Sequence, residues 1–279
     1  MLAARGPNPA SVLQGHLDLT CTADATGRSY LSRQSFNAPF HISKPYWDGD
    51  VLRMQVINPT AGLLAGDSLR CVVQVETGAH LNVTTPSATR IFTMAGWRAE
   101  VRQHLRVARG GRLAFMPSML VPHRGSRYRQ VTRIDVEAGG ELFYVDTLAP
   151  GRVAHGECFE FTEIDFTAEL FHDGRLNARE RFRLRPDDAS LTPLRALFPQ
   201  AYWASCYLVT ERLHDEHAAL HRLRELHAEG LWVGVSRLAV SGWSIKLIAR
   251  DSCLIAQALA RVREILAGAL SAFVPSRQY

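Results

Sequence analysis

Two carboxylates and a group of histidines are the residues of this 279-residue chain best placed to do chemistry. Side chains on a strand change face with period two. Asp146 therefore shares a face with Leu142, and Glu180 shares one with Phe182 and Leu184. Both acids point toward the apolar side, where an unpaired carboxylate is costly. Such a group is either part of a buried ion pair or strand-end cap, or it is kept for function. On 211–229, read as a helix, His214, His217 and His221 fall within a sector of about 60° at about 100° per residue. That grouping would suit a metal; the competing reading is a solvated helix flank. His217 and His221 have the spacing of a zinc-protease helix, but no glutamate stands between them to act as base.

Other local motifs are missing. Neither lysine, Lys44 or Lys246, follows the glycine spacing of a phosphate-binding loop, so hydrolysis of nucleoside triphosphates is not expected. No Gly-x-Gly-x-x-Gly, Gly-x-Ser-x-Gly or His-Glu-x-x-His occurs. Cys21, Cys71, Cys158, Cys206 and Cys253 are odd in number and include no Cys-x-x-Cys pair. Reduced, mostly buried thiols are expected rather than a zinc site or a disulfide framework. These features argue against an enzyme and against a tightly bound cofactor.

The two acids need strands to hold them, and the middle of the chain supplies a repeat. Val75-Glu-Thr-Gly-Ala-His-Leu81-Asn-Val83 is followed by Val107-Ala-Arg-Gly-Gly-Arg-Leu113-Ala-Phe115 and Val136-Glu-Ala-Gly-Gly-Glu-Leu142-Phe-Tyr144, at spacings of 32 and 29 residues. A period in this range signals stacked supersecondary units. Each unit reads strand, glycine turn, strand. If Leu81, Leu113 and Leu142 face the core, so do Thr85, Pro117 and Asp146, four residues on. A hairpin follows, Ile164–Phe171 and Leu176–Leu184 about Asp173-Gly174. Strands are expected at Leu231–Ser236 and Trp243–Arg250, and Asp251 caps a final helix running to about Ala272. Leu254–Leu270 is more apolar than a surface helix needs, which suggests a partner-docking face. The whole is one domain over 1–279. Its β body covers about 15–210 and 231–250, and two helices near the C-terminus cover about 211–229 and 251–272.

Composition bounds the partners. Hydrophobic residues make up 47% and charged residues 21%, ordinary for a soluble globular chain long enough to need no staples. The longest stretch without Asp, Glu, Lys or Arg is Ala196–Thr210, 15 residues including a proline, too short for a membrane helix. Met1–Arg5 has no apolar run of a signal peptide, so the cytoplasm is the expected compartment. Of 32 basic residues only two are lysines, and the net charge is +5. Arginine is common at protein interfaces. Its dense run, Arg179–Arg185, puts four arginines on one strand face, a solvated or partner-facing edge rather than a nucleic-acid stripe with interleaved aromatics.

Four blocks in order carry a resemblance. Asn58-Pro59-Thr-Ala-Gly62-Leu-Leu-Ala-Gly66-Asp67 is similar to the Asn-Pro-x-Gly-Gly-x-x-x-Gly-Asp signature of the UreD (UreH) urease accessory protein family. Thr84-Thr85-Pro86-Ser-Ala-Thr89-Arg90-Ile91-Phe92 resembles its Thr-Thr-x-x-Ala-Thr-Lys-x-Tyr segment. Met116-Pro117, Val121-Pro122 and Gln130 lie where that family has a proline-rich strand. Asp146-Thr-Leu-Ala-Pro-Gly151-Arg152-Val-Ala-His-Gly156-Glu157-Cys-Phe159 resembles its Asp-x-x-x-x-Gly-Arg-x-x-x-Gly-Glu-x-Phe block. Together they cover about residues 28–185. Ala61 and Ala65 depart from family glycines, and Ser118 stands where an acidic or amide residue is common.

The resemblance implies a mainly β fold, a β-helix-like stack of strands with two helices. It implies a non-enzymatic urease maturation factor that binds urease apoprotein and the accessory partners UreF and UreG, neither nucleic acid nor membrane. A dimer within the accessory complex is compatible with it. It also implies transient nickel, handed on through the β body. Nickel accepts imidazole, carboxylate and carbonyl ligands, and a conduit needs weak sequential oxygens so that the ion can leave. Asp67, Asp146 and Glu180 are the inward carboxylates suited to that path. Two other classes stay open. A β-solenoid acting on glycans would use Asp146 and Glu157 as its carboxylate pair, and a basic module would bind nucleic acid with steep salt dependence.

Overall fold

The computed structural model describes residues 12–60 and 62–270, apart from the side chain of Ser190. Ala61, Met1–Arg5 and the end of the expected last helix (Ser271, Ala272) lie outside the described residues. The chain opens with strands β1 (Gln14–Ala23) and β2 (Ser29–Phe36), then the short β3 (His41–Ile42), β4 (Tyr46–Asp48) and β5 (Val51–Ile57). After β6 (Gly62–Leu63) comes the first repeat unit, β7 (Ser68–Val75) and β8 (His80–Thr84), with β9 (Thr89–Ile91) beyond it. The second unit is β10 (Ala99–Val107) and β11 (Arg112–Met116), followed by β12 (Leu120–Pro122); the third is β13 (Arg127–Val136) and β14 (Glu141–Leu148). A hairpin, β15 (Glu163–His172) and β16 (Arg175–Leu184), leads through helix α1 (Thr192–Leu197) to β17 (Tyr202–Val209). Helix α2 (Ala218–Arg224), β18 (Leu231–Arg237), β19 (Trp243–Ala249) and helix α3 (Ser252–Leu270) complete it.

The result is mainly β, a solenoid-like stack of about four turns. One sheet runs β16-β15-β13-β10-β7-β1-β2 and the other β18-β19-β17-β14-β11-β8-β5-β3. The repeat strands pair in parallel and in register, so equivalent residues fall into columns. Leu19, Val73, Leu105, Ile134 and Leu170 form one column. Leu52, Leu81, Leu113, Leu142 and Val209 form the facing one. None of these ten side chains is more than 1% exposed. At roughly 25 cal/mol per Å² of apolar surface, each contributes about 2 kcal/mol.

The glycine turns stack as well. Gly78, Gly110 and Gly139 have φ between 71° and 75°, the left-handed region where a Cβ is penalised. The amide of Gly110 donates to the carbonyl of Gly139 (3.0 Å), and the amide of Glu137 to that of Val107 (2.9 Å). The Asp173-Gly174 turn joins β15 to β16 with both residues at positive φ (48° and 74°), matching the right-handed strand twist.

The arginines of β16 lie on the exposed face. Arg179, Arg183 and Arg185 meet Glu169, Asp165 and Glu163 of β15 as a cross-strand ion-pair ladder. Their charge is largely answered within the sheet, which leaves no unpaired basic stripe there.

The helical region differs from expectation in two ways. The segment read as a helix over 211–229 is helical only over Ala218–Arg224. Arg212 is drawn back onto Glu141 (Nε to Oε1 2.8 Å), where Thr210 also donates, and the His217 side chain caps the helix by accepting the Ala219 amide. This tertiary pairing overrides the local helical pattern. A short helix, α1, precedes it. In α3 the Asp251 carboxylate accepts the Leu254 amide (2.8 Å), as a cap should. The apolar excess of α3 is spent at home: Ile255, Val262, Ile265, Leu266 and Leu270 pack with Phe143, Cys206, Leu208, Ile245 and Leu247 on the outer face of the second sheet. The expected docking face is thus largely the chain's own core.

Candidate functional site

β14 is buried at every position because it has two covered faces. Phe143 and Val145 face the helices, while Leu142, Tyr144 and Asp146 face the interior between the sheets. Alternation therefore puts Asp146 inside, as read from its column. There it accepts two hydrogen bonds from Gln130 Nε2 (3.0 and 3.1 Å) and one from the Tyr144 hydroxyl. Tyr128 donates to Gln130 Oε1 (2.8 Å). Thr132 donates to Gln103 (3.1 Å), extending the network onto the preceding coil. Burial pushes the Asp146 carboxyl up to about 6; the bonds from Tyr144 and Gln130 oppose the rise, the charge of Glu180 adds to it and that of Lys246 opposes it.

Asp146 also lines a cavity of about 110 Å³ between the sheets. About a tenth of that volume is enough for one water. Gln103 and Gln130 share the inner wall; Thr85, Pro117 and Ser118 line it from the loops. Thr85, Pro117 and Asp146 thus meet at one space, as their shared column predicts. Ser118, which replaces an acidic or amide residue of the resembled family, donates twice to Thr85, from its amide to the hydroxyl and from its hydroxyl to the carbonyl (2.7 Å each), and stitches two coils together.

Glu180 lies one step further on, bonded to Ser205, the residue paired with Asp146 across β14 and β17. Its Oε2 accepts from Ser205 (2.9 Å), Tyr207 (2.7 Å) and the ammonium of Lys246 (2.5 Å). The rings of Phe115, Tyr144 and Tyr207 stack in series, 6.0 and 6.4 Å apart, so Tyr144 on Asp146 and Tyr207 on Glu180 are neighbours. The inward reading of Glu180 holds, and so does the alternative that it is one half of an ion pair. Lys246, Ser205 and Tyr207 were not singled out by sequence. A signal was present: in the apolar strand Trp243–Ala249, Ser244 and Lys246 are the polar residues and share one face.

Asp67 is a different kind of acid. It is 1% exposed, and its two oxygens accept the amides of Leu13 (3.1 Å) and Leu64 (2.8 Å). It fixes the turn between β6 and β7. Glu157 is likewise engaged, bound by the Arg152 guanidinium and the Arg124 amide, which hold its carboxyl down at about 2. Asp146 faces the interior cavity, whereas Glu157 is locked in its own loop beneath Arg152, so the two do not form a matched acid–base pair.

The three histidines do not share a helix face. His214 precedes α2, His217 caps it, and His221 is inside it. Among the described residues no group of three His, Cys, Asp or Glu side chains converges as a metal site. The cysteines are all free: Cys21, Cys71 and Cys206 are buried, and desolvation pushes each thiol up to about 12, while Cys158 is half-buried and Cys253 exposed. No helix among the described residues is long and apolar enough to cross a membrane.

Sequence comparison with known proteins adds a family. The family model described as UreD urease accessory protein matches residues 13–277. A urease accessory protein UreD of Opitutus terrae is 45% identical over 260 residues, 91% of this chain and 94% of that relative. One from Mycolicibacterium gilvum is 33% identical over 86% of this chain and 89% of the relative. One from Photorhabdus laumondii is 30% identical over 76% and 68%. These relatives are named as accessory proteins rather than enzymes.

Proposed function

The chain belongs to the UreD urease accessory protein family, and on that premise we propose that it is a cytoplasmic urease maturation factor that passes nickel along its interior. In this reading it binds urease apoprotein together with UreF-like and UreG-like accessory partners, and the nucleotide chemistry belongs to a partner. The observation that carries it is the line of polar groups inside an otherwise apolar stack. The cavity reaches Asp146, and the stacked Tyr144 and Tyr207 lead from there to Glu180. Each carboxylate is accompanied by neutral oxygens, a weak donor set that an ion can enter and leave. Asp67, with both oxygens held by amides, serves this path as the anchor of a turn at its border.

Reconstituted urease activation tests it. Asp146→Asn and Glu180→Gln should leave the chain folded and assembled with its partners. The rate of activation should fall on the order of tenfold, as when a group supporting a metal ligand is lost. Normal activation by both variants would sink the interior path. Loss of folding or of assembly in either would make that residue structural.

A further inference from the structure

We propose that the ammonium of Lys246 is a tethered cation that fills the site formed by Glu180, Ser205 and Tyr207, and that a divalent ion moving along the interior displaces it. The inference rests on the nickel path proposed above and adds the residue that guards one end of it.

The site already selects for a cation, because it holds one. Lys246 Nζ lies 2.5 Å from Glu180 Oε2 and 3.3 Å from the Tyr207 hydroxyl, with Ser205 Oγ also in contact. It sits 4.7 Å from the centre of the Tyr207 ring and 5.7 Å from that of Trp203, within reach of their negative faces. The donor set is one carboxylate, two hydroxyls and π-density, with no second fixed positive charge in contact among the described residues.

The choice of lysine is informative in this chain, where 32 basic residues include only two lysines. A guanidinium would hold Glu180 through a planar two-point fork, whereas an ammonium is a compact charge on a flexible four-carbon stem. Lysine is the residue that can let go. It also has somewhere to move. In the antiparallel register Lys246 stands between Ser205 of β17 and Gly234 of β18. Directly paired residues project on the same face, and a Cβ at Gly234 would meet nothing within 4 Å. The missing side chain leaves open space beside the lysine, at the edge of the sheet.

A tethered group competes at an effective concentration of millimolar order. Scarce free ions and singly charged competitors are then held off Glu180, and an ion with two charges delivered from along the path takes the site. The lysine thus sets a threshold for entry or exit without binding metal itself.

Equilibrium dialysis of the purified full chain against nickel chloride tests this, with metal content measured directly. Lys246→Met should take up nickel with at least about tenfold higher apparent affinity than the parent, a difference of about 1.4 kcal/mol. Lys246→Arg should take up nickel more weakly than the parent, because the fork is harder to displace, and Lys246→Met combined with Glu180→Gln should lose the gain. A folded Lys246→Met that binds no more nickel than the parent overturns the proposal, as does a gain that survives in the double variant. If the Met variant does not fold, Lys246→Gln keeps a donor toward Tyr207 and Ser205 and takes its place. Failure of both to fold would make the pair a strut and overturn the proposal equally. Because the readout is binding by the isolated chain, its failure removes the lysine's role and leaves the activation result for Asp146 and Glu180 standing on its own.

Discussion

The coils from β7 to β14 and the closing strands from β16 to β19 enclose the same interior but fill it differently. In the coils, columns such as Leu81, Leu113 and Leu142 repeat one apolar residue from turn to turn. In the closing strands the inward positions include Glu180, Ser205, Tyr207 and Lys246, all bonded to one another. A repeat is tolerant of sequence so long as each copy is apolar, and it stabilises its neighbours. Polar groups inside need specific partners: Gln103, Gln130 and Thr132 bond to one another within the coils, and the charged cluster stands where the repeat stops. Asp146 stands at the border, on the last repeat strand and paired with Ser205 of the closing strand β17. Regularity here supports stability, and the departure from it supplies donor atoms.

The largest effect that would sharpen this contrast is in a column. Leu113 is fully buried between Leu81 and Leu142. Leu113→Ala should cost about 2–5 kcal/mol, read as a lower midpoint in chemical denaturation. A cost well under 1 kcal/mol would show that the coils are not where stability resides.

Asp146 offers the opposite sign. Its carboxyl protonates at about 6 in the fold, against 3.8 for an ordinary aspartate. The folded chain therefore holds this proton more tightly than the unfolded one. Stability falls as pH rises from about 4 through 6 and stays lowered above that. Asp146→Asn should flatten this segment of the stability–pH curve and raise stability at neutral pH, by up to about 3 kcal/mol. Denaturation midpoints at pH 4, 6 and 8 measure it. A variant less stable than the parent at pH 8 would place Asp146 with the structural acids, beside Asp67 and Glu157.

The smallest effect belongs to the outer ladder. An exposed Arg179 and a half-buried Glu169 form an ion pair at 2.9 Å. Arg179→Ala should change stability by less than about 1 kcal/mol, and less still at high salt. A larger, salt-insensitive loss would move part of the stabilisation from the columns to the surface.

Much of this could be read from residues. The 32- and 29-residue spacings marked the coils, and alternation from Leu142 placed Asp146 inside. The same rule set Glu180 apart from the four arginines. The fold class followed from the repeat and from the resemblance. What local pattern missed was decided by distant partners. Arg212 leaves its helical pattern for Glu141, 71 residues away, so α2 is short. The apolar surplus of α3 looked like an interface because its own sheet was not visible in sequence. Lys246 was noticed only as a lysine without a phosphate loop; its meaning depends on Glu180, 66 residues earlier.

The stacked glycine turns have a consequence for how the protein is made. Each coil rests on the one before it, about thirty residues earlier, so a nascent chain can add turns in the order in which it is synthesised. At every intermediate length the newest strand has an unpaired edge, a template for another chain. For the second sheet that exposure ends only when residues 202–249 arrive, β17 pairing antiparallel onto β14 and β19 onto β17. Interruption of synthesis between these points would leave a well-formed but sticky stack. The last-made strands are therefore both the stopper of a growing filament-like edge and the part of the wall that carries Lys246.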